Sequence, residues 1–207
     1  MIHPHMPEFL QRYPKIDVQM LLEDRYVDFI DDGVDLAIRI TDQPPGGLMG
    51  RRLIEIGHLL CATPEYLAMH GTPEHPHDLK QHACIYLGEQ PSDSKWKFQQ
   101  GNKSITVAVK GRYSANHTGI RLDAALKHLG IASLPYFVAR HAIESGDLIQ
   151  VLPDWYFKTY YSGDAWLLYP PTRHLPPKLS VLIQFLAEKL AQEPILSSFF
   201  QGDKSRY

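Results

Sequence analysis

Met6-Pro7-Glu8-Phe9-Leu10-Gln11-Arg12-Tyr13-Pro14 is followed by Lys15-Ile16-Asp17-Val18-Gln19-Met20-Leu21-Leu22 and then, after a polar interval, by Val34-Asp35-Leu36-Ala37-Ile38-Arg39-Ile40. In the first block Met6, Phe9, Leu10 and Tyr13 recur at helical spacing, and Pro14 stops the helix. The second alternates polar and apolar residues, the period of a strand. Asp24 is placed to cap a short helix through Tyr26, Val27, Phe29 and Ile30, ending at Gly33. The third is a compact apolar run, predicted to be a buried parallel strand. Helix, strand, helix, strand in that order is the signature of an α/β fold.

Outward from this stretch the alternation continues. Pro44-Pro45-Gly46-Gly47 marks a loop, and residues 51–62 read as extended. Thr63 and Pro64 read as N-cap and first residue of a helix to His70. Asp78 is placed to cap a turn of helix. Residues 83–87, 96–99 and 105–113 are strand candidates, the last two joined by a Gly101-Asn102 hairpin. Asn116 opens a helix ending at Gly130. A short strand at 131–134 leads into a helix from Pro135 to about Ser145. Strands at 148–152 and 165–169 follow, and Pro176-Pro177 introduces a last helix with Leu179, Val181, Leu182, Phe185, Leu186 and Leu190 on its apolar face. No internal repeat is present.

Composition narrows the class. The chain has 207 residues, 44% of them hydrophobic and 21% charged, which is ordinary for a globular protein and long enough to bury a core. Lys and Arg number 21 against 23 Asp and Glu, for a net charge of −2. That leaves no basic excess to grip a phosphate backbone, so this chain alone is not expected to bind nucleic acid. Cys61 and Cys84 have no zinc-type or CxxC spacing and read as core residues. No signal peptide or 18-residue apolar span is visible, so the expectation is a cytoplasmic protein without a membrane segment.

Ligands of open parallel sheets bind beyond the carboxyl ends of the strands. Arg39, Ile40 and Thr41 end one strand. Thr63 ends another and caps the next helix. Ser114, Ala115 and Asn116 end a strand and open a helix, and Ser133, Leu134 and Pro135 do the same. The free N–H groups and positive poles of such helix starts suit a carboxylate or similar anion. The plainer alternative leaves Thr63, Asn116 and Ser133 as caps and turns, and pairs Arg39 with Asp35 or a loop carboxylate. Trp96, Trp155 and Trp166 read as core or surface residues rather than stacking platforms. Glu74, His75, His77 and Asp78 sit in a proline-rich loop without the spacing that puts two imidazoles on one helix face, so no metal is expected. No GxSxG or Walker loop occurs, and Cys61 lies in an apolar strand where a thiol stays protonated. No catalytic residue and no cofactor are expected.

A resemblance adds to this reading. Phe9-Leu10-Gln11-Arg12-Tyr13-Pro14, Val34-Asp35-Leu36-Ala37-Ile38-Arg39, Cys61-Ala62-Thr63-Pro64-Glu65-Tyr66-Leu67, Gly71-Thr72-Pro73, Asp78-Leu79 with His82, Gly111-Arg112-Tyr113-Ser114-Ala115-Asn116, Leu129-Gly130-Ile131-Ala132-Ser133-Leu134-Pro135, Val151-Leu152-Pro153-Asp154-Trp155 and Tyr169-Pro170 follow one another over about residues 7–193. In that order they resemble the effector-binding half of LysR-type transcriptional regulators. The resemblance implies a two-lobed periplasmic-binding-protein-like α/β fold with a small-molecule effector in the cleft at the strand ends named above. Mapped here, lobe one is 1–57 plus 164–207 and lobe two is 58–163, with crossovers near 57–62 and 163–168. It implies a homodimer or higher homo-oligomer paired antiparallel, to which helix faces at 6–13 or 179–190 contribute. The family's helix-turn-helix has no counterpart upstream of Pro7, so DNA contact is implied only through a domain absent from this chain. The first strand of lobe one, which belongs between the strands at Val18 and Leu36, also has no counterpart. Its loss would leave backbone groups unpaired. The alternative function is a free-standing cytoplasmic ligand-binding protein of the same fold.

Overall fold

The computed structural model describes residues 1–23, 28–41 and 44–193. In chain order these hold α1 (Met6–Arg12), β1 (Ala37–Ile40), β2 (Met49–Ile56), β3 (His58–Ala62), α2 (Pro64–His70), β4 (Cys84–Ile85), β5 (Lys95–Gln100) and β6 (Lys103–Ala108). Then come α3 (Thr118–Leu126), β7 (Ile131–Pro135), α4 (Tyr136–Glu144), β8 (Ile149–Val151), β9 (Tyr156–Lys158), β10 (Gly163–Tyr169) and α5 (Pro177–Ala191). The described residues divide into two compact units: 1–55 with 163–193, and 56–162.

Unit one is built on a sheet in the order β1-β10-β2. α1 and α5 supply its core because each turns one apolar stripe inward. Phe9 is fully buried, with its ring 5.0 Å from Tyr13 and 5.2 Å from Phe185. Leu167, Ile183, Leu186 and Leu190 close the cluster. Pro177 starts α5 at a position where its missing N–H costs nothing.

Three expectations for this unit are corrected. Residues 15–22 do not form a strand. Ile16 and Val18 still turn half-buried toward the core, but no ladder forms, and Met20, Leu21 and Leu22 stand exposed. The alternation of side chains is satisfied by packing alone, and a strand needs a hydrogen-bonded neighbour as well. The Asp24 cap and residues 25–27 lie outside the described residues. The remainder of that predicted helix is a turn in which the Asp28 carboxylate accepts from the N–H groups of Ile30 and Asp31 at 2.8 and 3.0 Å. β1 is shorter than the predicted strand, half-buried rather than buried, and pairs with β10 antiparallel rather than parallel.

Unit two carries a four-stranded sheet, β4-β7-β3-β8, and a three-stranded antiparallel sheet, β6-β5-β9. β7 runs parallel to β4, and β3 is antiparallel to both β7 and β8. β4, β7 and β8 therefore point one way and β3 the other. Trp96, Phe98 and Phe157 pack between the small sheet and Leu60, Tyr66 and Ile131, which places Trp96 and Trp155 in the core as expected. The Gly101-Asn102 hairpin is present, pairing Gln100 with Lys103. β9 is a strand that the sequence reading left out.

Two caps differ from expectation. The 3-10 turn Pro76–Gln81 is capped by His75, whose Nδ1 accepts from the His77 N–H at 3.3 Å. Asp78 answers from inside the turn, accepting from the N–H groups of His75 and Glu74. α3 begins at Thr118 after His117, so Asn116 lies one residue before its N-cap.

Candidate functional site

The polarity of the unit-two sheet decides which strand ends meet. β7 and β4 run side by side, Cys84 opposite Ile131 and Ile85 opposite Ala132. The next residue of the β4 strand line, Tyr86, forms a parallel bridge to Ser114, and the Ala115 N–H donates to the Tyr86 carbonyl at 3.2 Å. Ser133 and Ser114 thus end at the same edge, two strand spacings or about 10 Å apart. Ser114, Ala115 and Asn116 lead into α3, and Ser133, Leu134 and Pro135 lead into α4. Neither helix start carries a side-chain cap.

β3 reverses this relation for Thr63. His58, at its beginning, lies opposite Pro135, and Cys61 lies opposite Ala132. Thr63, past the far end of β3, is about 10 Å along the strand from the level of Ser133 and about 17 Å from that of Pro135. Its hydroxyl accepts from the Tyr66 N–H at 3.3 Å and is 2.7 Å from His128 Nδ1. With Pro64, Glu65, Leu126, His128, Gly146 and Asp147 it lines a shallow depression. The structure therefore brings 114–116 and 133–135 together and puts Thr63 at the opposite end of the sheet as the cap of α2. Arg39, Ile40 and Thr41 belong to unit one, at the end of β1. There Arg39 stands opposite Trp166, Ile40 opposite Ala165, and the Thr41 N–H donates to Asp164 at 2.9 Å.

Two polar residues escape the sequence reading, and both stand at the 133–135 edge. His58 is 4% exposed, with Nδ1 3.3 Å from Ser162 Oγ. Burial, and then the nearby Arg121 charge, push its pKa down to about 3. Arg121 is 3% exposed and donates from Nη1 to the Ser133 carbonyl at 3.0 Å. Burial lowers its pKa, and Asp93, Glu89 and Tyr161 act against that. One signal was available in sequence. Arg121 occupies the inward stripe of α3 with Ala124 and Ala125, where a charge is out of place.

Cys61 and Cys84 are buried, and burial pushes each thiol up to about 12. No group of three His, Cys, Asp or Glu able to hold a metal occurs among the described residues. Among the same residues no helix is long and apolar enough to cross a membrane.

The LysR substrate binding domain model matches residues 1–191. A probable HTH-type transcriptional regulator, LtrA of Klebsiella pneumoniae, is 54% identical over 187 residues, covering 90% of this chain and 60% of that protein. PtxR of Pseudomonas aeruginosa is 33% identical, with 90% and 59% covered. The chain thus spans about 60% of the length of the curated relatives it matches. Among solved structures, the regulatory domain of CrgA from Neisseria meningitidis superimposes with a TM-score of 0.79 at 27% identity, covering 92% of each chain. Full-length AphB of Vibrio cholerae gives 0.78 at 28%, covering 91% of this chain and 63% of that one. The fold class is thus the two-lobed, periplasmic-binding-protein-like α/β fold of these regulatory domains, and the chain belongs to the LysR substrate-binding domain family, the effector-binding domain of LysR-type transcriptional regulators.

Proposed function

We propose that this chain senses a small-molecule effector without transforming it, and that its response is relayed to DNA through a helix-turn-helix domain of a longer regulator. The observation that carries this reading is the meeting of two segments that lead into helices at one edge of the unit-two sheet: 114–116, which follows an isolated bridge at Ser114 because β6 already ends at Ala108, and 133–135 at the end of β7. Ser114, Ala115, Asn116, Ser133, Leu134 and Pro135 are the proposed contacts in unit two. Arg39, Ile40 and Thr41, at the end of β1, are those in unit one. Thr63 is left out because its hydroxyl serves α2 and His128 at the opposite end.

In this reading residues 1–55 with 163–193 form one lobe and 56–162 the other. An effector that binds one conformation better than another shifts the population toward it. A homodimer or higher homo-oligomer converts that shift into a change in the DNA-binding heads. The site of action is the cytoplasm.

The test is a thermal-shift screen of the 207-residue chain against a metabolite library. A true effector raises Tm steadily with the logarithm of its concentration, by about 2.7 kcal/mol of stabilisation at a hundredfold excess over Kd. Ser133→Ala and Asn116→Ala then weaken that response. A library that leaves Tm unmoved, or a hit indifferent to both variants, refutes the assignment.

A further inference from the structure

The outer face of the small sheet in unit two carries charge of one sign. Along β5, Lys95 and Lys97 turn outward while Trp96 and Phe98 turn into the core. The register sets Lys97 between Thr106 of β6 and Lys158 of β9, and Lys95 beside Ala108. Lys110, exposed, continues the outward row past the end of β6. No Asp or Glu occurs in any of the three strands. Among the described residues none of these four lysines makes an ion pair. Like charges directly opposite on neighbouring strands are destabilising, so the Lys97–Lys158 pair works against the sheet that holds it. Lysines that guard a sheet against stray pairing belong on its edges. Lys95 and Lys97 are on the central strand, so edge protection does not account for them. The opposite sign is concentrated in unit one. Asp28, Asp31, Asp32 and Asp35 fall in a stretch, 28–35, that holds no Lys or Arg. Ile30, 88% exposed, stands between the first two. The Asp28 carboxylate caps its own turn and Lys178 answers Asp35. The Asp31 carboxylate, exposed, has no hydrogen bond or ion pair among the described residues.

We propose that the lysine face of β6-β5-β9 docks the acidic turn 28–35 of a second copy of this chain. This rests on the self-association proposed above and names its surfaces, which are separate from the helix faces at 6–13 and 179–190. Positive face meets negative turn, an arrangement that fixes partner and register. Ile30 covers the uncharged Thr106 and Ala108, and Lys97 and Lys158 flank it with partners for Asp31 and Asp28. Carboxylates set between Lys97 and Lys158 also relieve the repulsion across the strands. Each copy carries one turn and one face, so two copies satisfy each other through two equal contacts and the pair closes. Nucleic acid is the poorer occupant, since its phosphate backbone meets a chain of net charge −2.

Sedimentation velocity of the 207-residue chain over a concentration series, at about 0.02 M and about 0.5 M salt, reads the pairing. The parent associates at low salt and far less at high salt. Lys97→Glu weakens the low-salt association about tenfold, and Asp31→Lys does the same. Both positions are exposed, and Lys97→Glu sets opposite charges across the strands from Lys158, so neither variant melts below the parent. Mixed in equal amounts, the two variants recover the parent's association, because every contact in the mixed pair again joins opposite charges. Mixing would not rescue a contact made within one chain. If either variant associates as the parent does, or the mixture stays apart, the assignment is overturned and self-association stands. Duplex DNA held by the parent at low salt and released by Lys97→Glu gives the face to phosphate instead. A parent that is monomeric throughout removes self-association first, and this contact with it. The thermal-shift screen for the effector is read independently of all these outcomes.

Discussion

His58 stays neutral across the range in which an unfolded histidine titrates. Its pKa is about 3 in the fold against roughly 6.5 in an open chain. Between those values the unfolded state binds a proton that the folded state refuses, so stability falls as pH falls. From pH 7 to pH 5 this one residue removes about 2 kcal/mol. Urea midpoints at the two pH values check it, and His58→Gln flattens most of the difference. His82 is also held low, by burial first, and leaves a smaller residue of the same sign. The cysteines make a second expectation at this scale. With both thiols pushed up to about 12, labelling by a thiol reagent at pH 8 is slow in the native protein and fast in denaturant. Prompt native labelling of either would contradict the burial described. The inert thiol of Cys61 was legible from its apolar neighbours. His58 was not, because a polar residue inside an apolar pattern reads as a break until the packing around it is known, and the one signal for Arg121, its place on the inward stripe of α3, was passed over.

At the scale of the element, caps and close approaches carry the local energetics. Thr63 holds α2 through the Tyr66 N–H and braces His128, which has a positive φ of 60°. Thr63→Ala costs about 1 kcal/mol, read as a lower Tm with effector affinity unchanged. Gly111 lies against β4 so tightly that an added Cβ would fall 1.8 Å from the Cys84 carbonyl oxygen. Gly111→Ala therefore forces the 110–114 segment off the sheet, at about 3 kcal/mol or more. It also disturbs the Ser114–Ala115 edge, so both Tm and effector response fall. α1, α2, α4 and α5 were legible because Pro, Thr and apolar spacing fix helix starts locally. The strand at 15–22 was misread because alternation reports which side chains face a core and says nothing of whether a neighbouring strand exists. The His75 cap was missed because imidazole nitrogens are not among the usual caps.

At the scale of the whole chain, local stability follows the hydrogen-bond ladders. Hydrogen exchange will show β3 and β7, buried in mid-sheet, among the most protected segments, and residues 17–22 exchanging at near open-chain rates. Strong protection at 17–22 would mean that a ladder forms there after all. The α/β class could be read from the order of elements and the family from short blocks in sequence. Strand polarity could not, since it depends on which strands become neighbours. The sequence reading treated the strand ends as one converging set, and the antiparallel course of β3 sends Thr63 to the other edge.

That reversal gives unit two a long-range electrical asymmetry. The positive poles of α3 and α4 gather at one edge, while the pole of α2 faces away. A small anion diffusing toward the unit is steered to the first edge, and ions in solution damp that pull. Capture therefore slows as salt is added, while release stays nearly constant.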